Sequence, residues 1–294
     1  MLGEKFSEYP DDFYPGDYLM PVAQYFVSTH NTKLLEMNDE ERFLLIKPYT
    51  VNFMINLIKE DLAALSINQD IFISEQDLVN EGKIDKAIKA LEKSNLIYEG
   101  VLDPPKGKKP DDWEPRPQML FKSTNYGDEV DRPLQKSNKE WTYFANDIAY
   151  HFDKYKRGST HLIDILGADH GGYVKRMTAA VAALSDNKAL FTAKLCQMVK
   201  LTRDGKQVKM SKRSGEFITL REVIDEVGSD SIRFMMLYRK NEAPLEFDFT
   251  KVTEQSKDNP VFYVQYAHAR ISSVINKLNE NNFKHVPSEF NNID

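Results

Sequence analysis

Apolar residues recur at helical spacing early in the chain and predict a helix from Asp17 to about His30, carrying Leu19, Val22, Ala23, Phe26 and Val27. Tyr14-Pro15-Gly16-Asp17 reads as the turn that caps it. Asn38-Asp39-Glu40-Glu41 then opens a long amphipathic helix, with Pro48 as a kink or break, and the pattern resumes through Val51, Met54, Ile55, Ile58 and Leu62. Phe72 and Ile73 suggest a short strand, and Asp77 to Lys93 a second amphipathic helix bearing Leu78, Ile84, Ile88 and Leu91. Leu96 to Val101 alternates like a strand, Pro104 to Pro110 is a proline-rich loop, and Met119 to Lys122 is a further strand.

From Trp141 the pattern changes. Trp141 to Phe144 looks like a strand and Asp147 to Tyr155 a helix. Leu162 to Ala168 is a short apolar strand ending in the polar turn Asp169-His170-Gly171-Gly172. A helix from Tyr173 to Leu184 follows, then a strand from Leu195 to Leu201. Strand, helix and strand in that order predict a parallel sheet covered by helices, in which ligands bind beyond the carboxyl ends of the strands. The Asp169–Gly172 turn occupies that position. Thr219-Leu220-Arg221-Glu222 is a capping box opening a helix, and Asp230 caps another. Leu245 to Phe249 reads as a strand, and Pro260 starts a helix with Val261, Val264, Ala267, Ile271, Val274 and Leu278 on one face. An Asn-rich polar tail closes the chain.

Composition narrows the class without selecting a function. The 294 residues suffice for one large domain or two smaller ones, and 41% hydrophobic with 29% charged residues is ordinary for a soluble protein. A net charge of −6 argues against wholesale coating of nucleic acid. Locally the balance reverses, because six basic residues face only Asp204 between Lys200 and Arg213. Cys196 is the single cysteine, in an apolar strand and buried by pattern, which excludes an internal disulfide framework and a cysteine-rich zinc site. No segment has the length and apolarity of a membrane span, and no apolar signal core follows Met1, so the expected address is cytoplasmic.

Candidate chemistry concentrates in three places. Lys209-Met210-Ser211-Lys212-Arg213 lies on a loop between a strand and a helix, where flexible ammonium groups can follow negative charge building on a departing pyrophosphate. Ser211 adds a hydroxyl donor, Met210 an apolar anchor for the loop; a solvated basic hairpin is the bland reading of the same cluster. Tyr143 and Asp147 bracket a strand-to-helix junction. A carboxylate beside an aromatic ring suits a guanidinium, although from spacing alone an N-capping aspartate is the commoner explanation. Tyr150 and His151 on the same helix read as partly buried packing residues. Asp169 and His170 could hold a ribose, an amino group or a metal, and Gly171 and Gly172 could let backbone approach a ligand; a plain turn explains them equally. No second carboxylate cluster accompanies them, which argues against a protein-bound structural metal. There is no G-x-x-x-x-G-K-[ST] phosphate loop and no G-x-S-x-G elbow.

Taken together, the chain resembles arginyl-tRNA synthetase of the bacterial type, a class I aminoacyl-tRNA synthetase. The matches are Tyr14 to Leu19, Thr142-Tyr143-Phe144-Ala145-Asn146-Asp147-Ile148-Ala149-Tyr150-His151, Leu166 to Tyr173, Val208 to Arg213 with its Lys-Met-Ser-Lys signature, and Asp258-Asn259-Pro260 through Arg270. The resemblance implies an α/β fold: the second half of a Rossmann-like catalytic domain over residues 1–257, with an α+β insertion at about 42–135. Residues 258–294 would begin a helical anticodon-binding domain. It implies ATP, with Mg2+, and arginine and tRNA(Arg) as substrates, and we expect a monomer. Asp147 would hold the guanidinium and Tyr143 line its side chain, with Asp169 also on the arginine side. His170, Gly171, Lys209, Met210 and Lys212 would meet ATP, with Lys209, Ser211 and Lys212 acting in catalysis. Tyr266 and Arg270 would face tRNA or merely pack.

The family's His-x-Gly-His type segment is absent from this sequence. The resemblance therefore implies a central section of a longer enzyme that is inactive alone. A non-catalytic tRNA-binding or regulatory relative is the alternative. A class I enzyme for another amino acid is disfavoured, since the cysteinyl type needs zinc-binding cysteines and a glutamyl type a cation in place of Asp147.

Overall fold

The computed structural model describes residues 16–102, 116–208, 210 and 217–280. A single 3-10 turn, Asp17–Leu19, leads into α1 (Met20–His30), followed by α2 (Lys33–Glu36) and α3 (Asp39–Ala64). Next come α4 (Glu75–Asn80), α5 (Lys83–Lys93), β1 (Ile97–Gly100), β2 (Gln118–Phe121) and β3 (Arg132–Gln135). Then follow α6 (Tyr143–Lys156), β4 (His161–Gly167), α7 (Tyr173–Ser185) and β5 (Leu190–Cys196). The rest comprises β6 (Val199–Arg203), β7 (Lys206–Gln207), α8 (Leu220–Val227), α9 (Ser229–Tyr238), β8 (Leu245–Asp248), α10 (Phe249–Thr253) and α11 (Pro260–Glu280). The Tyr14-Pro15 part of the first turn, the loop at 104–110, Lys209, Ser211, Lys212, Arg213 and most of the Asn-rich tail lie outside the described residues.

The chain divides into two compact units. One comprises Met1–Gln69, Val199–Arg239 and Leu245–Asp294; the other Asp70–Met198 and Lys240–Pro244. In the first, β6 pairs with β8 in parallel and with β7 in antiparallel fashion. Leu65, Val223, Val227, Ile232, Phe247, Phe249 and Val252 form its core, with a satellite of Val22, Phe26 and Leu34 under α1. In the second, β1, β2 and β3 form an antiparallel sheet, and β4 and β5 a parallel pair joined through α7. Its core is built from α5, α6, α7 and the inward residues Leu162 and Phe191 of β4 and β5.

Several expectations change for identifiable reasons. Pro48 does not end the helix: α3 runs through it for 26 residues, begun by a full capping box between Asn38 and Glu41. A proline removes one amide donor, and flanking Leu45, Ile46, Tyr49 and Phe53, which pack on the α1 satellite core, hold the helix on either side. Those residues, rather than Val51 and Ile58, which are exposed, form the packed face. The helix read from Asp77 to Lys93 is split by Gly82, whose φ of +63° suits glycine and interrupts the ladder between α4 and α5. Phe72 and Ile73 form no strand. The strand read over Trp141–Phe144 reduces to one bridge, Trp141 to Gln135, because Thr142 caps α6 instead. The strand read over Leu195–Leu201 is two strands in two sheets, broken at Gln197-Met198. Cys196 is only half-buried. Along α11, Val261 is buried while Val264, Ile271, Val274 and Leu278 are exposed.

Candidate functional site

The second unit positions a stripe of polar residues through one cap. Thr142 Oγ1 accepts a hydrogen bond from the Ala145 amide at 3.2 Å and donates to the Pro133 carbonyl at 2.9 Å. This fixes the start of α6, so that Tyr143, Asp147, His151 and Lys154 follow one another at helical spacing along one side. Asp147 sits in the second turn and is therefore not an N-cap, which removes the simplest structural explanation for it. Facing the stripe is Asp164, a carboxylate in the middle of the apolar strand β4.

These groups line a cleft of about 370 Å³ whose walls include Asp147, Tyr150, His151, Lys154, Asp164, His170 and Tyr173. The two carboxylates behave in opposite ways. Burial pushes the Asp147 carboxyl above its ordinary value, only partly offset by a hydrogen bond from the Tyr173 phenol and by the nearness of His151, while Glu75 and Asp164 push it further up. Burial acts on Asp164 too, but there His151 and Lys154 outweigh it and hold the carboxyl below the usual range. The distances explain this: His151 Nε2 lies 2.8 Å from one Asp164 oxygen and Lys154 Nζ 3.0 Å from the other. The Tyr173 hydroxyl is pushed up by burial and by the Asp147 charge, so it remains a donor. Lys154 also sits 4.3 Å over the Tyr150 ring. Chemically, Asp164 is neutralised from within, whereas Asp147 is a strained carboxylate stabilised by any cation that enters.

The Asp169–His170 turn follows β4 as a single 3-10 turn, Ala168–His170, at the carboxyl end of the strand. His170 reaches the cleft, while Asp169 is 80% exposed and its carboxylate folds over Gly167, where a Cβ would meet Oδ1 at 2.5 Å. Gly171 and Gly172 have φ of −52° and −67°, open to any residue, and an added Cβ meets nothing closer than 3.5 Å. The backbone alone does not require them. Tyr143 is 85% exposed and stands outside the cleft wall. In the other unit Met210 is 51% exposed rather than buried as an anchor, and Tyr266 and Arg270 are exposed on α11. Among the described residues no group of three histidine, cysteine or acidic side chains is arranged to hold a metal, and no helix is long and apolar enough to cross a membrane.

The structure thus brings Asp147 and His170 to one cleft, gives His151, read from sequence as a packing residue, a polar partner there, and adds Lys154, Asp164 and Tyr173, for which the sequence reading proposed no role. A charge inside an apolar strand was the available signal for Asp164. Tyr173 and Lys154 carried none, because only the packing of α6 and α7 on β4 aims them inward.

No family model matches the chain. Curated proteins do: the arginine–tRNA ligase of Parvibaculum lavamentivorans is 56% identical over 279 residues, 95% of this chain and 48% of its own length. That of Brucella anthropi is 58% identical over 275 residues, covering 93% and 47% respectively. Among solved structures, a Campylobacter jejuni protein described as an arginyl-tRNA synthetase superposes with a TM-score of 0.77 at 32% identity, over 94% of this chain and 56% of its own. Thermus thermophilus arginyl-tRNA synthetase gives 0.63 at 18% identity over 89% and 55%, a likeness of fold. The chain spans about half the length of the curated relatives it matches. Along nearly all of its length the chain is thus similar in sequence to about half of an arginine–tRNA ligase, and its mixed α/β fold is like that of the arginyl-tRNA synthetases.

Proposed function

We propose that the chain forms part of an arginine–tRNA ligase, and that the cleft beside β4 receives the arginine side chain. The observation that carries this is Asp147: a carboxylate held in a partly buried site, its charge disfavoured until a cation arrives. A guanidinium supplies that cation in a planar, forked form that a carboxylate accepts through two hydrogen bonds. Asp169, at the carboxyl end of β4, lies toward the amino-acid end of the ligand, and Tyr143 would fold over the side chain once it is bound.

On this reading the arginine carboxylate attacks the α-phosphorus of ATP, forming arginyl-adenylate and releasing pyrophosphate. A hydroxyl of the terminal ribose of tRNA(Arg) then attacks the arginyl carbonyl, forming the ester as the acyl–phosphate bond breaks and AMP and the hydroxyl proton leave. His170 and Gly171 would meet ATP; Lys209 and Lys212, with Ser211 and Met210, would follow charge onto pyrophosphate, which is the differential stabilisation that raises rate. Mg2+ suits the triphosphate rather than a protein cage, since it keeps most of its water and binds through phosphates. Residues 1–257 would be the second half of a Rossmann-like domain with its insertion at 42–135, and 258–294 the start of an anticodon-binding bundle presenting Tyr266 and Arg270. A cytoplasmic monomer is the matching cellular form.

Calorimetric titration of this chain with arginine tests the site directly. Arginine should bind, citrulline, its neutral isostere, should not, and Asp147→Asn should abolish binding. Equal binding of arginine and citrulline would overturn the assignment.

A further inference from the structure

We propose that His151 and Asp164 are positioning residues that set the spacing between the guanidinium anchor on α6 and the Asp169–His170 turn after β4. This rests on the reading of the cleft as an arginine site. It concerns two residues of the cleft wall that are bonded to each other, and assigns them an effect through geometry.

The bridge has two ends. His151 Nδ1 donates to the main-chain carbonyl of Asp147 at 2.7 Å, one helical turn back, so the ring is tied to the very turn that bears the anchor. Nε2 lies 2.8 Å from Asp164 Oδ2 on β4. The imidazole is only 3% exposed, and a T-shaped contact with Phe191 of β5 packs its face. A carbonyl accepts only, so Nδ1 is the donor in the first bond, while Nε2 faces a carboxylate oxygen on the neighbouring strand. Lys154, from the next turn, grips the other Asp164 oxygen at 3.0 Å.

Two consecutive turns of α6 are therefore pinned to one residue of β4. From Asp164 the strand runs to Gly167 and straight into Asp169-His170. Its extended backbone makes that distance stiff. The pin thus converts the register of α6 on β4 into a fixed distance between the site for a side-chain cation and the site for the other end of the same ligand. A ligand that engages both ends depends on that distance. One that engages only Asp147 does not.

That difference supplies the test. Arginine and butylguanidine, which has the cation but no amino-acid head, are titrated into the wild-type chain, His151→Leu, Asp164→Asn and His151→Gln, with folding checked by circular dichroism. The expected result is that His151→Leu and Asp164→Asn weaken arginine about tenfold more than they weaken butylguanidine, the scale of one hydrogen bond, because both ligands share any change at Asp147 itself. His151→Gln, which keeps a donor toward Asp164, should recover part of the loss. Equal weakening of both ligands would show a merely structural role, and unchanged arginine affinity in either folded variant would overturn the proposal. Asp147→Asn separates the two levels of argument. If it leaves arginine binding intact, the cleft assignment itself is wrong; if it abolishes binding while the bridge variants are silent, only the positioning role fails.

Discussion

His151 and Asp164, thirteen residues apart in sequence, meet at 2.8 Å across the join between a helix and a strand. The pair explains why two carboxylates in one cleft have opposite acidities, and it makes pH a probe of each.

Asp164 has a folded-state pKa below its unfolded value. The stability it contributes is present above the unfolded pKa of about 3.9 and is lost as pH falls through the depressed folded value. Chemical denaturation below about pH 4 should therefore show a steeper loss of stability in the wild-type chain than in Asp164→Asn. Parallel slopes would remove the ion cluster from the account of stability.

Asp147 has the opposite sign. Its folded pKa is raised, so its contribution is present at low pH and lost as pH rises through the raised value, which leaves an unliganded site less stable near neutrality. Tyr173, His151, Glu75 and Asp164 all face this carboxyl and set that value together. Arginine, which needs the ionised form, should begin to lose affinity at a pH above the ordinary aspartate value of about 3.9, and calorimetry from pH 4 to pH 7 would detect it. Tyr173→Phe removes a donor to the carboxylate and should move that loss to still higher pH.

The second unit has a further buried ion pair. Arg132 Nε and Nη2 each lie 2.7 Å from an oxygen of Asp128, whose side chain is fully enclosed and also accepts from Ser123. Asp128→Ala strands the guanidinium and should destabilise the second unit by about 3 kcal/mol, read as a lowered urea midpoint. Arginine affinity of the folded fraction should stay unchanged.

With no His-x-Gly-His segment in the sequence, arginine-dependent exchange of pyrophosphate into ATP by this polypeptide alone, with tRNA(Arg) present, is expected to be undetectable. Clear exchange would mean that the division of catalytic labour proposed for Lys209 and Lys212 is wrong.

Much of the framework was legible because it rests on local rules. The capping box of Thr219 with Glu222 forms as expected, Asn38 to Glu41 opens a long helix, and the strand–turn–helix around Asp169 forms as well. Errors fell where local signals conflict. Trp141 to Phe144 has strand-forming residues, yet the threonine among them prefers to cap, and that choice moved Asp147 from a junction into a helix. The cleft was half visible. Asp147 and His170 could be singled out by residue type, but the role of His151 exists only once a backbone carbonyl and a carboxylate from another element close on its ring.

The first unit is assembled from distant parts of the chain. Arg221 bonds to Asp61 across 160 residues, and Arg233 to the Leu65 carbonyl across 168. Nearly all of the second unit lies between them, complete in sequence by Met198 save for Lys240–Pro244. During synthesis, then, α3 leaves the ribosome long before β8 and α10 exist to cover Leu65. Collapse of the intervening unit shortens the effective loop that must close and lowers its entropic cost. The order of translation thereby favours an order of folding in which the cleft-bearing unit forms before the discontinuous unit closes.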